Sequence, residues 1–294
     1  MASDVDVVRA FNRTVTEMAG ALDEHHLARG RPLGASRLLW EIGLEGDLAE
    51  VRALRSRLGL DAGYVSRLLR SLEAEGLVEV VADAADQRAR VARLTAAGRR
   101  ERRELDRLSD DLAGSWLDAL DEGRRARMVD AMAEVTRCLR SIAVEIAPEP
   151  ADSPDAAVCL RRYMAELDER FDIGFDPAAA LPLEPEAITP PDGVLLLARL
   201  HGDPVGCAAV KFLPGPLAEI KRMWVAPSAR GLGVARRLLA DLEERARAAG
   251  CRRSQLDTNG TLAEAIALYR SAGYQEVDAF NDEPHATLWF ARDL

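Results

Sequence analysis

The sequence predicts two domains, the first mainly helical and the second α/β with a mixed, mostly antiparallel twisted sheet. Three observations predict this. Apolar residues recur every three or four positions from Val5 to about Leu139, broken only by one short alternating hairpin. The period then drops to two at Ile142, Val144 and Ile146. Third, a strand pattern ending at Val225 runs through a glycine turn, Arg230-Gly231-Leu232-Gly233-Val234-Ala235, directly into a helical pattern carrying Leu238, Leu239, Leu242 and Ala246. The boundary is therefore placed near Ser141, giving residues 1–140 and 141–294.

Composition bounds the function classes. At 294 residues, 48% hydrophobic and 30% charged, the chain has the make-up of an ordinary globular protein with room for two cores. A net charge of −10 argues against a protein that coats nucleic acid or an anionic membrane with its whole surface, so any DNA contact is regional. The four cysteines are widely spaced and form no Cys-x-x-Cys pair, which suggests neither a disulfide framework nor structural zinc. No histidine spacing suggests a metal site, and no apolar run reaches the roughly 18 residues of a membrane span. A reducing, cytoplasmic setting is the expectation.

In chain order, Val5 to about Ala28 reads as one helix. A second, short helix is expected around Leu38 to Ile42, opened by Ser36. Asp47 to Leu58 reads as a helix, Gly59-Leu60-Asp61 as a tight turn and Ala62 to Glu75 as another helix, which is helix-turn-helix spacing. Leu77 to Val81 and Arg90 to Leu94 alternate as strands around a charged loop, adding a wing to the helix pair. A long helix then runs through Leu105, Leu112 and Trp116, breaks at Asp121-Glu122-Gly123 and resumes to Leu139.

The words Val65-Ser66-Arg67, Leu72-Glu73-x-x-Gly76-Leu77-Val78, Asp86-x-Arg88 and Leu94-Thr95-x-x-Gly98 make residues 5 to 140 resemble the MarR family of dimeric bacterial repressors. The resemblance implies a homodimer held by the first and last helices. It also implies that Ser66, Arg67 and Arg70 face the major groove of DNA while Arg88 reaches phosphates or the minor groove from the wing tip. Glu79 and Asp83 place negative charge beside that wing and work against tight DNA binding. Exposed helical arginines also serve simply as a solvated face.

In the second half, Pro148, Pro150 and Pro154 end the first strand and Asp155 opens a helix through Tyr163 to Leu167. After an irregular stretch from Phe171 to Pro191, three antiparallel strands follow at Val194 to Leu200, Val205 to Leu213 and Ala218 to Val225. Beyond the glycine turn come a strand at Ser254 to Asp257, a helix from Leu262 to Ser271 and two more strands. Strand, glycine loop and helix is an arrangement that suits anion binding, because glycine admits close backbone approach and the first helical N–H groups are free. The same turn also serves as a plain connection. Neither the Gly-Lys-Ser/Thr ending of a P-loop nor the third glycine of a dinucleotide fingerprint is present.

Glu219-Ile-Lys-Arg-Met-Trp-Val225 with Arg230-x-x-Gly233-x-Ala235, then Asn259 and Ala265-x-x-Leu268-Tyr269-x-x-x-Gly273-Tyr274, make residues 141 to 294 resemble the GNAT acetyltransferases. These move an acetyl group from acetyl-CoA to an amine. The resemblance implies that Arg230, Gly231, Leu232, Gly233, Val234 and Ala235 cradle the pyrophosphate, and that backbone at Met223, Trp224 and Val225 meets the thioester arm, with Asn259 on the same cofactor. It implies Glu219 as the base and Tyr269 as the acid that protonates the leaving thiolate. For the acceptor it nominates Tyr163, Glu166, Arg170 and Phe175 from the first helical region. Asp278, Asn281 and His285 are nominated from the segment before the last strand, and together the set suits a small polar amine or amino acid. Glu219 also reads as a glutamate pairing a basic neighbour, and Tyr269 as a packed aromatic. Two functions stay open on this reading: an acetyltransferase with a DNA-targeting front half, and a transcriptional regulator whose back half senses acetyl-CoA or an amine without turnover.

Overall fold

A computed structural model describes residues 3–21, 27, 29–44, 46–82, 89–171 and 174–294. The chain divides into two compact units, Met1–Ala131 and Met132–Leu294.

In the first unit, helix α1 (Asp4–Met18) opens on a capping box between Ser3 and Asp6 and buries none of its residues. Its apolar stripe of Val5, Val8, Phe11, Val15 and Met18 faces outward. Helix α2 (Leu33–Ile42) starts earlier than Ser36 suggests, because Pro32 holds the extended N-cap conformation and Ser36 lies buried in the helix. The helix expected from Asp47 is a second correction. Leu48–Glu50 form a strand, β1, and only Val51–Leu58 is helical (α3). Asp47 takes a left-handed φ of 66° and accepts from the Leu94 amide, which commits the next three residues to pairing rather than helix.

Gly59, at φ 62°, ends α3, and the Asp61 side chain caps α4 (Ala62–Ala74) by accepting from the Tyr64 amide. Strands β2 (Val78–Ala82) and β3 (Arg90–Leu94) complete an antiparallel sheet of order β1-β3-β2. Leu38, Leu39, Leu54, Val65 and Leu72 form the core beneath it. Thr95 caps α5 (Ala96–Asp118), and Gly98 is required there: a Cβ would stand 2.0 Å from the Leu77 carbonyl oxygen. Helix α6 (Glu122–Ile142) follows, and the division between the units falls within it.

The second unit opens with β4 (Val144–Pro148), two residues later than the change of period at Ile142, which is still helical. Helix α7 (Pro154–Arg170) is capped by Ser153. Next come β5 (Gly193–Leu200), β6 (Asp203–Leu213), β7 (Leu217–Val225), α8 (Val234–Ala248), β8 (Arg253–Thr258), α9 (Ala263–Ser271), β9 (Gln275–Val277) and β10 (Leu288–Asp293). The seven-stranded sheet has order β4-β5-β6-β7-β8-β10-β9 and is antiparallel except between β7 and β8, which α8 connects as a parallel pair. Positions 194–198 and 205–210 are buried without alternation, as strands covered on both faces must be, and α7 and α8 both pack against β6. Among the described residues no helix is long and apolar enough to cross a membrane.

Candidate active site

The site forms where the parallel pair comes apart. β7 and β8 are in register only at Leu217–Arg253, Ala218–Ser254 and Glu219–Gln255. Beyond Glu219, β7 stays on β6 to Val225 while β8 stays on β10 to Thr258, so the two strands diverge. A bulge sharpens the divergence: the β6 register passes from Ala209–Lys221 to Cys207–Trp224, leaving one extra residue on β7. Arg222 sits there at φ 57°, a left-handed conformation that costs a non-glycine residue about 1 kcal/mol. The Cys207 thiol donates to its carbonyl at 3.4 Å.

One side of the opening is a groove of about 400 Å³ lined by Trp224, Val225, Gly231, Gly233, Ala235 and Leu268 among others. Gly231 and Gly233 have φ of 77° and 74°, and a Cβ at either would meet nothing within 4 Å. Both glycines are thus demanded by the backbone, and the space above them is open to a ligand. Gly233 is the N-cap of α8 and brings no side-chain cap, so the first helical N–H groups remain free. Leu232 and Val234 point into the core and anchor the loop. Arg230 turns back on its own strand, donating to the Val225 carbonyl at 3.1 Å and to Glu166.

Glu166 and Arg170 line this groove and not the adjoining cavity, and of the other nominated acceptor residues only Tyr163 lines the groove as well. Glu166 accepts from the Trp224 indole at 2.9 Å and from Arg230. Burial raises its pKa, but the bonds from Arg230, Trp224 and Arg170 outweigh burial and hold it below the usual carboxylate value. Arg170 donates to Glu264 at 2.6 Å. Glu166 thus meets β7 and the glycine loop and Arg170 meets α9, an outcome that helical spacing alone does not determine.

The adjoining cavity, of about 210 Å³, shares Tyr163, Leu167, Met223, Leu262 and Ala265 with the groove. Glu219 lines it and is 6% exposed. Its carboxylate lies 3.2 Å from the Lys221 ammonium, 3.7 Å from that of Lys211 and 3.4 Å from the Asn281 amide nitrogen. Lys221 also bonds Asp257, which accepts from Asn281 at 3.0 Å, and Asn281 in turn accepts from the Trp289 indole at 2.8 Å. Burial lowers the pKa of Lys221, but the charges of Asp257 and Glu219 overcome it and the net shift is upward. Tyr269 lines the same cavity, its ring packed on Tyr274 and Phe290, and burial drives its hydroxyl far above the ordinary tyrosine value. Burial likewise pushes Tyr163 up to about 12.

Phe175 and His285, which also line this cavity, lie with ring centroids 4.7 Å apart, with Phe171 6.0 Å from each. Asn259 lines this cavity rather than the groove. Its side chain is engaged in holding two loops together, donating to the His285 carbonyl at 2.8 Å and accepting from the Thr261 amide at 2.9 Å. Asp278 is exposed and lines neither cavity, because β9 ends at Val277 and the chain turns away. Lys211, Lys221, Arg222 and Asp257 were missed by sequence reasoning. The first two were recoverable from strand alternation: Glu219 and Lys221 share a face, and Lys211 is the cross-strand partner of Glu219. Among the described residues no group of three His, Cys, Asp or Glu is placed to hold a metal.

In the first unit, Ser66, Arg67 and Arg70 are exposed on α4. Arg67 lies over the Tyr64 ring at 5.6 Å, and Arg70 donates to the Ser66 carbonyl at 3.3 Å. A shallow cavity of about 140 Å³ adds Arg55 and Arg90 to Ser66 and Arg70, two cations absent from the sequence-based set. Glu79 is exposed on β2 opposite Arg93. Arg88, Asp83 and Asp86 lie outside the described residues.

Residues 160–274 match the model of the acetyltransferase (GNAT) family, and residues 30–89 that of the MarR family. An uncharacterized N-acetyltransferase of Schizosaccharomyces pombe is 30% identical over 157 residues, 52% of this chain and 94% of that protein. The chain belongs to the GNAT acetyltransferase family. In this GNAT chain the acetyltransferase domain follows a MarR-type winged helix, so the fusion and the two fold classes expected from sequence both hold. An IAA acetyltransferase of Azospirillum brasilense is 41% identical over 99 residues, 33% of this chain and 65% of that protein. Among solved structures, a GNAT acetyltransferase from Staphylococcus aureus Mu50 is 18% identical, covers 51% of this chain and 99% of that one, and gives a TM-score of 0.45.

Proposed function

We propose that this GNAT chain is an acetyl-CoA-dependent N-acetyltransferase acting on a small polar amine or amino-acid-like acceptor, and that its MarR-type half binds DNA as a homodimer. The observation that carries the enzymatic reading is the loss of register after Glu219, which puts the glycine-loop groove and the Glu219 cavity on one continuous opening. The groove fits acetyl-CoA: open space above Gly231 and Gly233 and free N–H groups at the start of α8 suit a pyrophosphate. Acetyl-CoA supplies the activated acyl group.

The rest is the work of the chain's own side chains. Glu219 takes a proton from the attacking amine nitrogen as the C–N bond forms, and backbone N–H at Met223–Val225, the end of β7, is the donor to the carbonyl oxygen. As the C–S bond breaks, the Tyr269 hydroxyl in the cavity wall donates a proton to the leaving sulfur. The products are an amide and a free thiol. Met223, Leu262 and Ala265, shared by the two cavities, exclude water where they meet.

Exposure of Ser66, Arg67 and Arg70 on α4 supports the DNA reading, and the unburied apolar faces of α1 and α6 support the dimer. The test of the enzyme is release of free thiol from acetyl-CoA across a panel of amines and amino acids. Release with at least one acceptor is expected; acetyl-CoA binding with no release across the panel supports a sensor instead.

A further inference from the structure

The acceptor cavity contains three cations, Lys211, Lys221 and Arg222, and three carboxylates, Glu219, Asp257 and Glu283, and these are not equally engaged. Lys221 is held between Asp257 and Glu219, and Lys211 stands 3.7 Å from Glu219. Glu283 accepts from the Leu181 amide at 2.9 Å. Among the described residues, nothing pairs with the guanidinium of Arg222 by hydrogen bond or ion pair. Arg222 is a half-buried residue, and a planar carboxylate is the group that its unengaged guanidinium fork fits best.

The backbone supports the same assignment. Arg222 is held in a left-handed conformation inside the bulge, with its carbonyl fixed by Cys207, so its position is set by the fold. Its charge acts on the Tyr163 hydroxyl at the junction of the two cavities, opposing the upward shift there. The alternative cation, Arg170, is already bonded to Glu264 and Glu166 in the cofactor groove. The same cavity is lined by Phe171, Phe175 and His285, whose packed rings offer an aromatic wall.

We propose that Arg222 is the carboxylate-binding residue of the acceptor cavity, and that the acceptor is an amine carrying both a carboxylate and an apolar or aromatic side chain. This rests on the acetyl-transfer reading for the chemistry but not for the binding. The amine then faces Glu219, the carboxylate Arg222 and the side chain the aromatic wall.

The experiment uses the full chain with CoA present, so that nothing turns over, and measures binding of L-phenylalanine and L-methionine against their carboxamides by calorimetry. At least one acid is expected to bind about tenfold or more tightly than its amide, as loss of a charge-assisted pair predicts. Arg222→Gln is expected to abolish that preference with CoA affinity unchanged, and Arg222→Lys to keep part of it. Equal binding of acids and amides, or a preference that survives in Arg222→Gln, overturns the assignment. Thiol release from acetyl-CoA is followed separately: an Arg222-dependent preference without turnover leaves the carboxylate site standing and removes the acetyl-transfer reading. Turnover of amines with no dependence on Arg222 does the reverse.

Discussion

The ammonium of Lys221 lies 3.2 Å from the carboxylate of Glu219 and bonds Asp257 on its other side. Lys221 therefore keeps one anionic partner if Glu219 loses its charge. Glu219→Gln preserves shape and the contact with Asn281 but removes the proton acceptor. It is expected to lower kcat/KM about 10²-fold, the usual scale for a general base, with acetyl-CoA affinity and the thermal midpoint nearly unchanged. Steady-state kinetics beside calorimetric titration of acetyl-CoA checks this; undiminished kcat/KM moves the base elsewhere in the cavity.

Tyr269→Phe separates the hydroxyl from the ring. Ring packing on Tyr274 and Phe290, with centroids 6.0 and 6.1 Å away, survives the change, so the fold is expected to hold. What is lost is the hydroxyl, whose protonated form burial favours. A fall in kcat of about 10²-fold with little change in KM for acetyl-CoA is the expected signature of an acid used in the transition state. A change in KM alone assigns Tyr269 to packing.

How much of this was legible beforehand follows from the range of each interaction. The glycine loop and α8 were readable because φ near 75° at Gly231 and Gly233 and a 3.6-residue period are local properties. β1 was hidden because Leu48–Glu50 is too short to show a period, and pairing with β3 overrides its helical flank. Glu166 and Arg170 were assigned to the acceptor by the family resemblance, yet which cavity they meet depends on Trp224, Arg230 and Glu264 arriving from other elements. Asp257 was out of reach for the same reason: it meets Lys221 across two strands that have already separated.

The winged-helix half carries a pH prediction. Glu101 accepts from Arg29 and Arg31 at 2.6 Å each and is 11% exposed. The bond from Arg29 leads, burial opposes it and Arg31 adds to it, depressing the carboxyl from 4.5 to about 2. A depressed carboxylate stabilises the fold above its unfolded pKa, and that contribution is lost as pH falls from 4.5 towards 2. The shift corresponds to about 3 kcal/mol. Glu101→Gln is thus expected to lower the melting temperature of the first unit at pH 7, with the gap from the parent closing near pH 2. A gap of equal size at both pH values excludes the ion pair as its source.

DNA binding is the last expectation to test, and charge decides its form. Arg67 and Arg70 are exposed on α4, while Arg55 and Arg90 flank the same shallow cavity. If α4 enters the major groove, each arginine contacting a phosphate releases counterions, so Arg67→Ala and Arg70→Ala should each weaken binding and reduce the slope of log affinity against log salt by about one. Glu79 works in the opposite direction: it stands exposed on the hairpin, only partly offset by Arg93 across the strand pair. Glu79→Lys should then tighten binding and steepen the slope. Fluorescence anisotropy on the chain's own upstream DNA at several salt concentrations measures all three. Salt slopes that do not move in the arginine variants exclude α4 from the contact, and no binding by the parent even at low salt leaves this half as a dimerisation module.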